Sequence, residues 1–415
     1  MIYRLEIENF CSVKERQILD FSIAANVPDE DGRYARLFPG AAVRAPKVVA
    51  IYGANASGKT TVLRAFDLIT AFVRYQPLRD TNRFTFDAFN DEETIESPVK
   101  LAIEFGGEMN LSSDQSMSNA GEIEYGLYRY ELEFIRNEAL SYRVFREELT
   151  KKPLGIGKWR RVFARDEKGK VKGPTTNLRS FPLAGYSKIL DKLPSGASVI
   201  ATLAEFEHPP ALRLVEASAQ ISSNLNVGRD GQHDRMLVDF LAASPTLVSS
   251  LNRELRSIDL GLDKMRIEQT ANGPLPVFLH DGHKTELPWA LESDGTRAFI
   301  RMFPLVAGAL ENGGVVIMDE FDGLIHPLIL PEILSWFYTR SGRNENDAQI
   351  WFSCHAASLL DDLTKEEVVL CEKDHDGRTE IFRLVDVRDG KAVRRDENLY
   401  KKYLSGVYGA VPRIG

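Results

Sequence analysis

The sequence has few cysteines and no long apolar run. Its three cysteines, Cys11, Cys354 and Cys371, are an odd number without metal-type spacing, which argues against a disulfide framework and a zinc cluster. No stretch approaches the roughly 18 apolar residues that a membrane-spanning helix needs. The first ten residues are charged and lack the apolar core of a signal peptide. These absences predict a cytoplasmic protein with no membrane partner.

The composition is that of a folded protein with a mild negative charge. Of its 415 residues, 43% are hydrophobic and 27% are charged, as in globular rather than disordered chains. The 52 basic and 60 acidic residues give a formal net charge of −8. This balance excludes a uniformly basic nucleic-acid coat, although not a local basic patch.

Hydrophobic periodicity predicts an α/β fold. Residues 2–10 alternate like a strand, Val48–Tyr52 is a short buried strand, and a helix follows Thr61. The polar segment 27–46, with its Pro and Gly residues, reads as a surface loop. Further strands are expected at 99–105, 125–134, 277–279, 314–318, 350–354 and 368–371. The short apolar strands are typical of a sheet that is covered on both faces.

The middle of the chain differs from both ends. Segment 106–121 is rich in Gly, Ser and Asn and predicts a flexible hairpin tip. Segment 136–172 carries twelve Lys or Arg against five acidic residues. Residues 197–265 are predicted to be mostly helical, and 295–310 to form a helix despite Pro304. No internal repeat or sustained heptad pattern is present, so a long coiled coil is not expected.

The residues from Gly53 to Thr60 read G-A-N-A-S-G-K-T and fit the pattern G-x-x-x-x-G-K-[ST]. They follow a predicted strand and open a predicted helix, which is the context that a phosphate-binding loop requires. Lys59 would place its charge at the β- and γ-phosphates, and Thr60 would offer a hydroxyl to Mg²⁺. The candidate nucleotide-binding residues of this loop are Gly53, Asn55, Ala56, Ser57, Gly58, Lys59, Thr60 and Thr61.

Two carboxylates follow the apolar strand predicted at 314–318. Strand ends of this kind lie at the edge of a parallel sheet where ligands bind. Asp319 would hold Mg²⁺, and Glu320 would orient and deprotonate the attacking water. Because adjacent strand residues point in opposite directions, these two roles require a bend immediately after Asp319.

A second anion-binding surface is predicted around Ser293. Ser293 can cap the helix that follows, and the N–H groups beside Gly295 would form an anion site. Since one nucleotide does not need two phosphate loops in one lobe, the simplest explanation is a composite site, with ATP between two copies of the chain. His355 ends the strand predicted at 350–354, where it could reach the γ-phosphate.

Together, the motifs G-A-N-A-S-G-K-T-T, S-D-G-T, V-V-I-M-D-E-F-D and F-S-C-H, in this order, resemble the ABC-type ATPases of the SMC, RecF and OLD branch. The resemblance covers roughly 1–110 and 275–415. It implies Mg²⁺ bound by Thr60 and Asp319, and Glu320 as the catalytic base. It also implies His355 as a switch residue, Ser293 and Gly295 on the γ-phosphate in trans, and Asp322 in a loop that contacts the partner subunit. The motif S-D-G-T departs from the S-G-G-[QE] of transporters and SMC proteins and fits the OLD-like members.

The resemblance implies an ABC-type ATPase head, with a mixed sheet around the phosphate loop, an antiparallel β-lobe and an inserted, mostly helical part. We expect an N-terminal ATPase lobe at 1–135, an inserted basic and helical subdomain at 136–270, and a C-terminal ATPase lobe at 271–415. Only 60 residues follow His355, too few for the nuclease domain of OLD proteins, so we expect any effector to be another chain.

The expected function is an ATP-hydrolysing, dimeric ATPase with ATP and Mg²⁺ as cofactors. Like the ATPase subunits of anti-phage systems, which it resembles, it would sense a trigger and control a nuclease or toxin encoded nearby. The alternative is a RecF- or SMC-like DNA-binding ATPase of DNA repair or maintenance. In that case segment 136–172, with Tyr142, Phe145, Trp159 and Phe163 among its basic residues, would line a DNA groove. A solvated hairpin face is the other interpretation of this segment. A third alternative, a scaffold that binds ATP without turnover, is disfavoured by Glu320.

Overall fold

The computed structural model describes residues 1–75, 78, 86–109, 123–137, 141–153, 157–174, 181–225, 231–257, 261–323, 325–389, 391–394 and 397–412. The strands are β1 (Ile2–Glu8), β2 (Gln17–Asp20), β3 (Tyr34–Arg36), β4 (Arg44–Pro46), β5 (Val48–Tyr52), β6 (Val99–Glu108), β7 (Tyr125–Arg136), β8 (Tyr142–Pro153), β9 (Arg160–Arg165), β10 (Val171–Lys172), β11 (Ile221–Ser223), β12 (Leu262–Thr270), β13 (Gly273–His280), β14 (Leu287–Pro288), β15 (Val315–Met318), β16 (Gln349–Ser353), β17 (Val368–Lys373), β18 (Thr379–Arg383), β19 (Arg388–Asp389) and β20 (Lys391–Ala392). The α-helices are α1 (Lys59–Phe72), α2 (Ser187–Leu190), α3 (Val199–Glu205), α4 (Pro209–Ala219), α5 (Gly231–Ala242), α6 (Pro245–Ser257), α7 (Asp294–Asn312), α8 (Leu330–Ser335) and α9 (Leu399–Leu404).

Two large sheets organise these elements. The antiparallel sheet has the strand order β10-β9-β8-β7-β6-β1-β2. The mixed sheet has the order β11-β15-β16-β5-β17-β18, in which the first five strands are parallel and β18 is antiparallel. A smaller antiparallel sheet joins β12, β13 and β14.

Helix α1 lies between the two large sheets. Its residues Leu63 and Phe66 share one apolar cluster with Leu5 of β1, and with Ile51 and Trp351 of the mixed sheet. The opposite face of the mixed sheet packs on α7 and α8 in a second cluster. Because β5 is covered on both faces, all five of its residues are buried, which explains its continuous apolar sequence.

This architecture confirms the predicted α/β fold, with a mixed sheet, an antiparallel β-lobe and a helical part formed by α3 to α6. Among the described residues the longest helix is α7, with 19 residues, so no long coiled coil is found there. Within the same residues, no helix is long and apolar enough to cross a membrane. Most of the hairpin tip predicted at 106–121 lies outside the described residues, and its first three residues extend β6.

The prediction of a surface loop at 27–46 is wrong in part. This segment contains β3 and β4, which pair with each other, and Tyr34, Ala35 and Ala45 in them are buried. Phe38 and Ala41 pack with Tyr3 of β1 in a small third cluster. The segment therefore covers one end of the antiparallel sheet.

The basic segment 136–172 forms β8, β9 and β10 of the antiparallel sheet. Strand β8 pairs with β7 along its whole length, so the sheet continues across the predicted boundary between residues 135 and 136. The division into three domains stays a prediction. In physical terms, the strands on both sides of that boundary share one hydrogen-bonded ladder.

Candidate functional site

The parallel strands of the mixed sheet bring three sequence motifs to one edge. Strand β16 lies between β15 and β5, with Met318 beside Phe352 and Ser353 beside Ile51. Since all three strands run in the same direction, the segments that follow them meet at their carboxyl ends. These segments are the phosphate loop (residues 53–60), the carboxylate pair (Asp319 and Glu320) and the turn that contains His355.

The phosphate loop has a backbone that its glycines make possible. Gly53 and Gly58 have φ values of +154° and +107°, and Ala56 between them has +62°. A Cβ atom on Gly53 would lie 2.3 Å from the carbonyl oxygen of Cys371, and one on Gly58 would lie 2.4 Å from Thr379 Oγ1. The loop therefore needs glycine at both positions, for conformation and for space.

The side chains of the loop differ in exposure. Asn55 and Ala56 are exposed, whereas Ser57 is buried. Among the described residues, the Ser57 hydroxyl is a buried polar group that has no hydrogen-bond partner. The hydroxyl oxygen of Thr61, the third residue of α1, lies 3.3 Å from that of Ser12.

Lys59 folds back over the loop that precedes it. Its Nζ donates to the carbonyl oxygens of Gly53 at 2.9 Å and Ala54 at 3.0 Å. The side chain is almost completely buried, and this burial lowers the pKa of Lys59 from its ordinary value. In the part of the chain that the structure describes, the hydrogen bonds of this buried ammonium group go to carbonyl oxygens. The group is therefore suited to an anionic ligand, which would supply the opposite charge.

Thr60 and Asp319 are in direct contact, although they are distant in sequence. Thr60 Oγ1 donates to Asp319 Oδ2 at 2.9 Å, and Ser353 Oγ donates to Asp319 Oδ1. Hydroxyl and carboxylate oxygens are the ligands that Mg²⁺ prefers. The structure thus places the two proposed magnesium ligands side by side.

Asn224 braces the backbone of Asp319, and the sequence alone did not indicate this contact. Its Oδ1 accepts from the Asp319 N–H at 2.7 Å, and its Nδ2 donates to the Asp319 carbonyl oxygen at 3.0 Å. Asn224 follows β11, which pairs in parallel with β15. The signal was the short β-type run Ile221–Ser223, but it lies inside a segment that was predicted to be mostly helical.

Glu320 occupies the bend that its proposed role requires. Its φ of +50° lies in the left-handed region, so the chain turns immediately after Asp319. The Glu320 N–H donates to Ser353 Oγ at 2.8 Å, and the Gly323 N–H donates to the Glu320 carbonyl oxygen at 2.7 Å. Both carboxylates line a cavity of about 570 Å³. The exposed Glu320 side chain is therefore accessible to water.

Asp322 connects the carboxylate pair to the turn after β16. Its Oδ2 accepts from the His355 N–H at 2.9 Å and from the Ala356 N–H at 2.7 Å. These bonds fix the backbone of the turn and leave the His355 side chain exposed. In this chain Asp322 orients His355, and its contact with a partner subunit stays a prediction.

The serine loop (residues 291–296) connects the small β12–β13–β14 sheet to α7. Ser293 caps α7, because its Oγ accepts from the Thr296 N–H at 3.0 Å. Ser293 is exposed and Gly295 is half-buried. The N-cap is confirmed, whereas contact with a nucleotide in trans stays a prediction.

The phosphate loop and the neighbouring Asp319 have the chemical groups that a nucleotide with bound Mg²⁺ requires. The unpartnered Ser57 hydroxyl, the convergent glycine backbone and the buried Lys59 suit phosphate oxygens. Thr60 and Asp319 supply two hard oxygen ligands for Mg²⁺. Within the described chain no group of three or more His, Cys, Asp or Glu could hold a metal ion by protein ligands alone. This donor set matches a metal that also binds phosphate oxygens.

The basic segment contributes an exposed surface on the antiparallel sheet. Lys158, Trp159 and Arg160 are exposed at the start of β9. Arg146 pairs with Glu148, and Lys172 Nζ lies 3.6 Å from Asp166. Part of the basic charge is therefore neutralised within the sheet, and DNA binding by this segment stays a prediction.

Comparison with known proteins identifies one family. A family model described as "AAA domain, putative AbiEii toxin, Type IV TA system" matches residues 48–361, which is more than half of the chain. Among solved structures, the SMC head domain from Thermotoga maritima is similar at 14% sequence identity and a TM-score of 0.42, over 93% of this chain and 99% of that one. No curated protein matches the sequence.

Proposed function

Because the chain belongs to this family of AAA domains, we propose that it is an ABC-type ATPase that binds and hydrolyses ATP. In this proposal two copies dimerise around ATP and Mg²⁺, sense a trigger and control a separate effector, a nuclease or toxin, in bacterial anti-phage defence. The main support for ATP binding and hydrolysis is the contact between Thr60 and Asp319 beside the phosphate loop. It supports a magnesium nucleotide because it joins two oxygen ligands from motifs that are distant in sequence.

Each side chain has a defined task in the proposed reaction. The N–H groups of the phosphate loop and Lys59 bind the phosphates, and Lys59 neutralises the charge that develops on them. Thr60 and Asp319 would hold Mg²⁺, which would supply further electrostatic stabilisation when bound. Asn224 holds the Asp319 backbone, and Ser353 holds its carboxylate.

Glu320 acts as the base in this proposal. Its carboxylate accepts a proton from the water that attacks the γ-phosphorus, while the bond to the leaving ADP oxygen breaks. The exposed His355, whose backbone Asp322 fixes, hydrogen-bonds a γ-phosphate oxygen. Ser293 and the N–H groups near Gly295 bind the γ-phosphate of the partner copy.

The regulatory part of the proposal rests on the family and on the motif resemblance. The abortive-infection description of the family supports a role in defence. Closure of the dimer on ATP would give two states, and an effector that binds one of them better would be controlled by the nucleotide.

The Glu320→Gln variant tests the ATPase proposal. Because glutamine cannot accept the proton of the attacking water, we expect turnover to fall by about 10²- to 10⁴-fold. ATP binding should be retained, so the variant should accumulate as ATP-bound dimers, measured by light scattering after size-exclusion chromatography.

Lys59→Ala is the companion control, and it should lose ATP binding and therefore dimerisation. If Glu320→Gln hydrolyses ATP as fast as the unmodified protein, Glu320 is not the base. If it binds ATP but stays monomeric, the dimer proposal is wrong.

A further inference from the structure

A buried carboxylate and a histidine lie directly behind Ser293. Glu292 Oε1 accepts from the Ser293 N–H at 2.7 Å, and Glu292 Oε2 lies 2.7 Å from His280 Nε2. On the other side of the ring, His280 Nδ1 lies 3.1 Å from the carbonyl oxygen of Gly261. The side chain of Glu292 is 3% exposed and that of His280 is 19% exposed. The chain of contacts therefore runs from the end of β13 to the backbone of the serine loop.

The hydrogen bonds restrict how this pair can be protonated. The Gly261 carbonyl oxygen only accepts, so His280 Nδ1 must carry hydrogen to make that bond. The second bond then needs hydrogen either on His280 Nε2 or on Glu292. A neutral ring beside an ionised carboxylate cannot make both bonds.

The segment just before the serine loop has its own anchor. Trp289 Nε1 donates to Asp234 Oδ2 at 3.0 Å, and Arg301 of α7 pairs with Asp234 at 2.8 Å. This anchor ties the loop to α5 and α7 without His280. Loss of His280 should therefore leave the loop attached, but free Glu292 and the Ser293 backbone to reorient.

We propose that His280 and Glu292 are positioning residues of the composite ATP site. They hold the Ser293 N–H and the first turn of α7 in the orientation that the nucleotide on the partner copy requires. A carboxylate with no partner other than that N–H would be a buried charge, which explains why His280 is needed behind it. This inference rests on the proposed function, since it gives Ser293 a ligand in trans.

The test measures dimerisation apart from nucleotide binding. In a Glu320→Gln background, His280→Ala should raise the ATP concentration for half-maximal dimerisation by about tenfold, the scale of one hydrogen bond to a charged group. Monomer affinity for a fluorescent ATP analogue, measured at protein concentrations too low for dimers, should not change. In the background with Glu320, the variant should raise the KM for ATP more than it lowers kcat at saturating ATP.

Glu292→Gln is the conservative variant. Its amide oxygen can accept from the Ser293 N–H, and its amide nitrogen can donate to a neutral His280 ring. We expect its ATP concentration for half-maximal dimerisation to stay within about twofold of the parent value, because all three hydrogen bonds are kept. Glu292→Ala should raise the ATP concentration for half-maximal dimerisation as much as His280→Ala does. The double variant should raise it no more than either single variant.

The neighbouring His283 provides a matched control. Its ring centroid is 5.6 Å from that of His280, and it is exposed. His283→Ala should dimerise like the parent. If His280→Ala also dimerises like the parent, or if it weakens monomer binding of the ATP analogue to the same extent, the positioning role is wrong. If the Glu320→Gln parent itself does not dimerise with ATP, the proposed function is wrong and this inference falls with it.

Discussion

At the scale of single residues, the candidate site concentrates unusual backbone conformations. Gly53, Ala56, Gly58 and Glu320 all have positive φ, and the last of these directly follows the proposed metal ligand. A non-glycine residue in this region costs on the order of 1 kcal/mol or more. The hydrogen bond that the Glu320 N–H donates to Ser353 Oγ, and the one that its carbonyl oxygen accepts from the Gly323 N–H, offset that cost. The geometry of the site therefore depends on conformations that only a few substitutions would preserve.

Gly58→Ala tests this dependence. The new methyl group would meet Thr379 Oγ1 at 2.4 Å, and Thr379 is fixed by its bond to the Ser57 carbonyl oxygen at 3.0 Å. We expect ATP binding to weaken at least about tenfold and stability to fall by about 2 kcal/mol, from strain and from the clash. Calorimetric titration with ATP and urea unfolding measure the two effects.

Gly342→Ala is the matched control for backbone strain alone. Gly342 has a φ of +68°, and a Cβ atom there meets nothing within 4 Å. We expect the free energy of unfolding to fall by about 1 kcal/mol and the ATP affinity to stay unchanged. Equal ATP affinities for the two variants would show that the close approach to Thr379 does not shape the phosphate loop.

Local patterns predicted the site residues that neighbour each other in sequence. The phosphate loop was found because its spacing is contiguous, and the bend at Glu320 followed from the alternation of strand side chains. The contact of Asn224 with Asp319 was not found, because it joins residues 95 positions apart. The same reason applies to the pair His280 and Glu292, which meet only after β13 and β14 have formed their ladder.

At the scale of elements, one buried carboxylate joins α3 to the antiparallel sheet. Glu147 of β8 is completely buried and accepts from the Val199 N–H of α3 at 2.9 Å and from the Tyr130 hydroxyl at 2.9 Å. Arg165 of β9 donates to the carbonyl oxygens of Ala197 at 2.7 Å and Pro194 at 3.0 Å. Together these bonds hold the start of the helical part on the sheet.

Burial raises the pKa of Glu147 to about 7, from an ordinary value of 4.5. The folded protein thus holds a proton that the unfolded chain releases above about pH 4.5. The contribution of Glu147 to stability is therefore greatest below pH 4.5 and falls as the pH rises to about 7. Glu147→Gln should remove this fall, so its melting temperature relative to the unmodified protein should be higher at pH 8 than at pH 5.

The control for this prediction is Glu148→Gln, at the next position of β8. Successive strand residues point to opposite faces, so Glu148 and its partner Arg146 lie on the other face of β8. The variant therefore makes the same Glu-to-Gln change outside the α3 contact. If the difference in melting temperature between Glu147→Gln and the unmodified protein is the same at pH 5 and pH 8, Glu147 does not hold the extra proton in the folded state.

Element positions were predictable where the apolar pattern is long enough. Strands β1 and β5 and helices α1 and α7 were found with small errors at their ends. Strands β3 and β4 were missed because each has three residues, too few for an alternation to show. In segment 136–172 the charge count obscured the alternation of buried and exposed residues, and this alternation is what places the segment in the sheet.

At the scale of the whole molecule, one chain carries two proposed anion-binding surfaces on different supports. The phosphate loop belongs to the mixed sheet and α1, whereas the serine loop belongs to the small β12–β13–β14 sheet and α7. In a symmetric dimer each ATP would lie between the phosphate loop of one copy and the serine loop of the other. The two surfaces can then be damaged in separate chains and tested in mixtures.

Mixing Lys59→Ala with Ser293→Arg should restore activity that neither variant has alone. In the mixed dimer one composite site contains both damaged surfaces and the other contains neither. With equal amounts, about one quarter of all sites are intact if the copies pair at random, and about one half if only the mixed dimers form. Between about one quarter and one half of the unmodified turnover should therefore return. Mixing Lys59→Ala with Glu320→Gln should restore nothing, because Lys59 and Glu320 serve the same nucleotide within one copy. A protein that hydrolyses ATP as a solitary subunit would show no recovery in either mixture, and that result would contradict the composite site.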